Sequence, residues 1–141
     1  MYLRESNKWQ FNCQHGTNEC WGNLFHSCLI DRYPRKEDHF PVIQCTMSYN
    51  INIQDSARLC SNKYNIAFNQ IQDCMSSNQA NFRMHSYADM TERAHIGYTP
   101  WIVINSQHTT EIQNKAGNNL IEYVCSLYKG LSKPYACFYK N

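Results

Sequence analysis

The residues best suited to chemistry crowd into one stretch, Cys13-Gln-His-Gly-Thr-Asn-Glu-Cys-Trp-Gly-Asn-Leu-Phe-His-Ser-Cys28. Cys13, His15, Cys20, His26 and Cys28 are all acceptable zinc ligands. Their spacings, however, are C-x-H and H-x-C, with no paired C-x₂₋₄-C knuckle of the kind that structural zinc sites use. Disulfides explain them better, with His15 a polar turn residue and Gly16 supplying the positive φ needed to enter a helix. No metal or other cofactor is expected. Eight cysteines in 141 residues is also more than a reducing compartment encourages, and the even number suits pairing in an oxidising one. A redox-active pair would need two cysteines close together, the first with a lowered pKa, and the chain contains no C-x-x-C. Cys20 and Cys28 fall on one expected helix, about 12 Å apart along its axis, beyond the roughly 7 Å limit for a disulfide. No catalytic residue is assigned.

The elements that must position this stretch come from pattern. Trp9 and Phe11 alternate with Gln10 and Asn12, which suits a short strand at 8–12. A helix follows at Glu19–Leu29, then a turn at Pro34 and the charged run Arg35–Asp38. Phe40–Met47 reads as β, being rich in branched and aromatic residues. Asp55 is expected to cap a helix reaching about Phe68, with Leu59, Ile66 and Ala67 inward. A short helix at Ile71–Met75 precedes another, capped by Ser77 or Asn78 and running to about Arg93, with Ala80, Met84, Tyr87 and Ala88 inward. Pro100 opens an apolar run, Trp101–Asn105, expected as a buried strand. A turn at 105–107, a short return at His108–Glu111 and a terminal helix to about Lys129 close the chain, Gly130 standing at its C-cap. His85, His95 and His108 lack a partner pattern and are read as surface residues.

Composition narrows the function classes. A net charge of +2 with 17% charged residues is too mild and too dispersed for a nucleic-acid surface. No apolar run approaches the roughly 18 residues of a membrane helix. Residues 1–10 carry three charges and no apolar core, so they are not a signal peptide. This conflicts with the disulfide reading unless the natural start lies upstream of Met1. There are sixteen Asn but no Asn-x-Ser/Thr site, so N-glycosylation is not expected.

Spacing also suggests pairings. Cys60 and Cys74 lie on successive helices and are expected to face each other across a hairpin, closing a loop worth roughly 3 kcal/mol in the chain-entropy model. Gly130 and Pro134 turn the chain so that Cys137 can bond Cys125. Cys13, Cys20, Cys28 and Cys45 then pair among themselves. The options are Cys13–Cys28 with Cys20–Cys45, which is favoured, or Cys13–Cys20 with Cys28–Cys45.

The Cys13–Cys28 stretch matches the pattern C-Q-H-G-x₂-E-C-x₂-N-x₄-C at Cys13, Gln14, His15, Gly16, Glu19, Cys20, Asn23 and Cys28. It resembles the signature of the gamma-interferon-inducible lysosomal thiol reductase family. Trp9 and Phe11, Tyr98–Asn105 and Val124–Cys137 are similar to family segments as well, and the likeness is weakest at 31–60. The resemblance implies an α+β chain: an incomplete thioredoxin-like fold with a helical, disulfide-braced insertion and a small sheet. It implies one domain over 1–141 that lacks an N-terminal strand–helix–strand portion bearing the C-x-x-C. It further implies descent from thiol–disulfide oxidoreductases that reduce protein disulfides in a lysosomal or secreted setting. Thr99 and Pro100 would then form a cis-proline loop holding the substrate backbone. Without a C-x-x-C this chain alone is expected to be inactive. A secreted, non-enzymatic binding module that has lost its redox centre is the alternative.

Overall fold

The computed structural model describes the backbone of residues 2–5 and the whole of residues 8–138; Met1 lies outside them. The chain divides into two compact units, Met1–Ala94 and His95–Asn141.

The first unit opens with an antiparallel hairpin, β1 (Tyr2–Glu5) and β2 (Lys8–Phe11), in which Arg4 pairs with Trp9 and Glu5 with Lys8. Five helices follow: α1 (Thr17–Arg32), α2 (Lys36–Ser48), α3 (Ile53–Lys63), α4 (Phe68–Met75) and α5 (Asn78–Arg93). The expected strand at 8–12 and the Ser77 cap are both present, the Ser77 hydroxyl accepting from the Ala80 N–H at 3.2 Å. Helix α1 is the axis of the unit, with α2, α3, α4 and α5 all packed on it. Phe25, Cys28 and Leu29 on α1 are fully buried with Val42, Ala57, Cys60, Ile71 and Ala80 from the surrounding helices. Arg83 of α5 ties back to Asp31 of α1 at 2.7 Å.

Residues 40–47, expected as a strand, are the body of α2. Val42, Cys45 and Thr46 share a helical face and are buried there, whereas Phe40 and Met47 are left exposed. Burying one face against α1 and α3 outweighs the β preference of single residues. Pro41 is tolerated in the second turn for the loss of one backbone bond. The cap of α3 is Asn52, whose side-chain Oδ1 accepts from the Gln54 N–H at 2.8 Å, and Asp55 instead lies in the first turn. Leu59 and Tyr87, expected inward, are exposed at 51% and 39%.

The second unit has a looped segment, then α6 (Thr110–Asn118), α7 (Leu120–Leu127) and one 3-10 turn at Tyr135–Cys137. No strand forms at 101–105. A single bridge joins Ile104 to Gln107 across a tight turn in which Asn105 and Ser106 both have positive φ. The backbone needs of the apolar run are met by a side chain: the Gln113 carboxamide accepts from the Ile102 N–H at 3.1 Å and donates to the Pro100 carbonyl at 3.0 Å. The single terminal helix expected is two. Asn119 breaks it with ψ near +91° and caps α7 through the Glu122 N–H. Helix α7 ends before Gly130, which lies beneath the Tyr128 ring, where a Cβ would collide.

The described residues are thus mostly helical, with one small hairpin and four disulfides. No described helix is long and apolar enough to cross a membrane.

Candidate functional site

The Cys13–Cys28 stretch folds as turn, staple and helix. The Gly16 N–H donates to the Cys13 carbonyl at 3.1 Å, closing a four-residue turn, and Gly16 adopts φ +87°. That conformation favours glycine, as the sequence implied. Gly16 brings no side chain to cap α1, and Glu19 in the first turn reaches back to the residue before the cap. Its Oε2 takes the His15 backbone N–H at 2.6 Å and contacts His15 Nδ1 at 2.8 Å. Cys20, in the first turn of α1, is bonded to Cys13 and staples the end of the hairpin to the helix.

The remaining pairs are Cys28–Cys74, Cys45–Cys60 and Cys125–Cys137. Cys125–Cys137 is the expected tail clasp. Cys60–Cys74 does not form, because Cys74 faces Cys28 across the α1–α4 contact while Cys60 faces Cys45 across the α2–α3 contact. The favoured Cys13–Cys28 and Cys20–Cys45 pairs fail as well, as does Cys28–Cys45. Cys13 and Cys20 are brought together by the turn, and Cys28, two helical turns further on, points into the core. No cysteine is free, so none offers a thiolate to a metal. Among the described residues no cluster of three or more His, Cys, Asp and Glu could hold an ion.

On the side of α1 facing α5 lies a cleft of about 420 Å³. Glu19, Asn23, His26 and Ile30 line it from α1, at i, i+4, i+7 and i+11. Met84, Tyr87, Ala88 and Thr91 line it from α5, and Phe11–Gln14 form its end. Cys13, Gln14, Glu19 and Asn23 of the signature therefore share one groove, the Gly16 turn and the Cys13–Cys20 bond hold its end, and Cys28 faces the core. Burial holds the His26 imidazole down at about 4, so the ring is neutral. The Thr46 hydroxyl donates to the Ile43 carbonyl, so it accepts from His26 Nε2, 2.8 Å away. The Nδ1 of this tautomer is then an acceptor. The 19/23/26/30 spacing was the available signal for this face. Nothing local marked Met84 and Tyr87 as its opposite wall.

Asn81 is a further residue that sequence reasoning missed. Its carboxamide bonds both the N–H and the carbonyl of Trp9, each at 2.8 Å, closing the outer edge of β2 against α5. His85 and His108, expected on the surface, are stacking partners. His85 lies on Trp9 at 3.6 Å between ring centroids and His108 on Trp101 at 3.5 Å. Thr99 and Pro100 are exposed in the second unit and are joined by a cis peptide.

Comparison with known proteins agrees with the signature. The family model "Gamma interferon inducible lysosomal thiol reductase (GILT)" matches residues 2–64. The gamma-interferon-inducible lysosomal thiol reductase of Carassius auratus is 36% identical over 137 residues, covering 94% of this chain and 53% of that protein. Its Mus musculus counterpart is 31% identical over 136 residues, covering 94% and 52%. GILT-like protein 1 of Drosophila melanogaster is 25% identical over 155 residues, covering 99% and 62%. The chain spans about half the length of the first two. With the signature complete and its residues folded into one turn, staple and groove, the chain belongs to the gamma-interferon-inducible lysosomal thiol reductase family.

Proposed function

We propose that this chain descends from thiol–disulfide oxidoreductases acting on disulfide-containing proteins in an endo-lysosomal or secreted setting, and that the 141 residues alone are catalytically inactive. The observation that carries the reading is the complete signature in a chain whose relatives are named thiol reductases. A thioredoxin-like reductase attacks its substrate through a C-x-x-C thiolate. The sequence contains no such pair, and every cysteine is bonded. In this reading Thr99 and Pro100 belong to the loop that holds an extended substrate backbone, and the helical unit braces the fold.

The assay is reduction of insulin by dithiothreitol, with turbidity as the readout. The isolated chain should leave the rate at background. Robust turnover that disappears in Cys13→Ser or Cys20→Ser would overturn the inactivity and move the redox centre into the signature. The full pairing of the cysteines also favours a second reading, a non-enzymatic binding module. The coding sequence upstream of Met1 separates the two: a strand, a C-x-x-C and a helix in frame support the reductase, and an in-frame stop supports the module.

A further inference from the structure

The four disulfides are not equally open to attack. Cys28 and Cys60 are fully buried, and their partners Cys74 and Cys45 are 3% and 8% exposed, so no external thiol reaches these bonds without local unfolding. Cys13–Cys20 and Cys125–Cys137 are partly exposed. They differ in what surrounds the departing sulfur. Cys20 lies near the N-terminus of the sixteen-residue α1, where the helix dipole favours a thiolate, while its Sγ also stands 3.6 Å from the Phe11 carbonyl oxygen. Cys125 lies in the last turn of α7, where carbonyl groups oppose one. The first bond also borders open space on two sides. Cys13 lines the cleft of about 420 Å³, and Cys20 lines a second of about 400 Å³ together with Lys8, Trp21 and Met75. Glu19, next to Cys20 in the chain, is engaged by His15.

We propose that Cys13–Cys20 is the exchangeable disulfide of this chain and that its co-substrate is an external dithiol. A thiolate of the dithiol attacks Cys13 Sγ. The Sγ–Sγ bond breaks and its electron pair leaves on Cys20 Sγ, giving a mixed disulfide at Cys13. The second thiol of the reagent, deprotonated, attacks its own sulfur in that mixed disulfide and releases the Cys13 thiolate. The dithiol ends oxidised to a disulfide, the protein pair is reduced by two electrons, and the two protons lost by the reagent reside on Cys13 and Cys20. This site does not depend on the oxidoreductase reading, because it concerns which bond of the chain accepts electrons and not whether insulin is turned over.

The test titrates the intact chain with dithiothreitol, quenches with an alkylating reagent and maps labelled cysteines by mass spectrometry. Cys13 and Cys20 should label at a dithiothreitol concentration about tenfold below that needed for any other pair, a difference of about 30 mV. A Cys13→Ser/Cys20→Ser variant should lose this first step while its far-ultraviolet circular dichroism is retained. A Cys125→Ser/Cys137→Ser variant should keep it. A monothiol such as glutathione should be trapped on Cys13. Labelling of Cys125 and Cys137 first, simultaneous labelling of all eight, or an adduct on Cys20 in place of Cys13 would overturn the proposal.

Discussion

The two units show two ways of holding a short chain together. Residues 8–94 bury a contiguous core around α1 and cross-link it with three disulfides, two of them inside that core. Residues 95–138 bury only Ile112 and Ala116 among their apolar side chains and carry one disulfide, at the surface. Helix α7 has no buried residue, and Leu120, Ile121 and Val124 are each about half exposed. Leu131, Tyr135 and Phe138 are more exposed still. The first unit therefore draws on the hydrophobic effect, whereas the second relies on local devices: caps, a tight turn, ring stacking and one loop closure. A unit of the second kind opens at low cost.

The contrast breaks most readily at the disulfides. Cys28–Cys74 closes a loop of 46 residues, and its removal in Cys28→Ala/Cys74→Ala should cost about 4 kcal/mol in the chain-entropy model. The loss adds to the cavity left in the core, and urea denaturation should show the first unit largely unfolded. Cys125→Ala/Cys137→Ala closes only 12 residues and should cost about 3 kcal/mol at most, confined to the second unit. Equal effects of the two variants on α1, read by amide hydrogen exchange, would refute the division.

Acid should weaken the first unit through His26. Its imidazole titrates near 4 when folded, against an ordinary value of 6.5, because burial disfavours the cation. The unfolded chain therefore binds the extra proton first as pH falls. Stability is whole above about pH 6.5, declines by up to about 1.4 kcal/mol per pH unit towards pH 4, and levels off below it. His26→Phe should flatten that decline in urea midpoints measured from pH 7 to pH 4. An unchanged slope would place the acid sensitivity elsewhere.

The smallest expected effects sharpen the comparison. Asn81 and Gln113 do the same work in different units, each presenting a carboxamide to a backbone N–H and carbonyl. Such an edge otherwise invites pairing with another chain. Asn81→Ala should cost roughly 1–2 kcal/mol, since it exposes the Trp9 edge beside a packed helix. Gln113→Ala should cost under about 1 kcal/mol but increase exchange at the Ile102 amide, because that segment has few other bonds. Exchange at Trp9 and Ile102 rising equally would show the two edges to be equally supported.

Local chemistry was legible in the residues. The signature, the Gly16 turn, the Ser77 cap, the 8–12 strand and the Cys125–Cys137 clasp all depend on groups no further apart in the chain than Cys13 and Cys28, and there spacing is geometry. The Cys13–Cys20 pair was among the options for the same reason. Tertiary structure alone decided between Cys60–Cys74 and Cys45–Cys60. The two loops differ by one residue, so their closure entropies are nearly identical and no spacing argument can choose. Packing chose, by making 36–48 a helix whose Cys45 faces α3 and by turning Cys74 towards α1. The same holds at the apolar run 101–105. Its residues are fit for a strand, but a strand exists only where a partner supplies the second half of each hydrogen bond. Here that partner is the side chain of Gln113, a contact no periodicity announces.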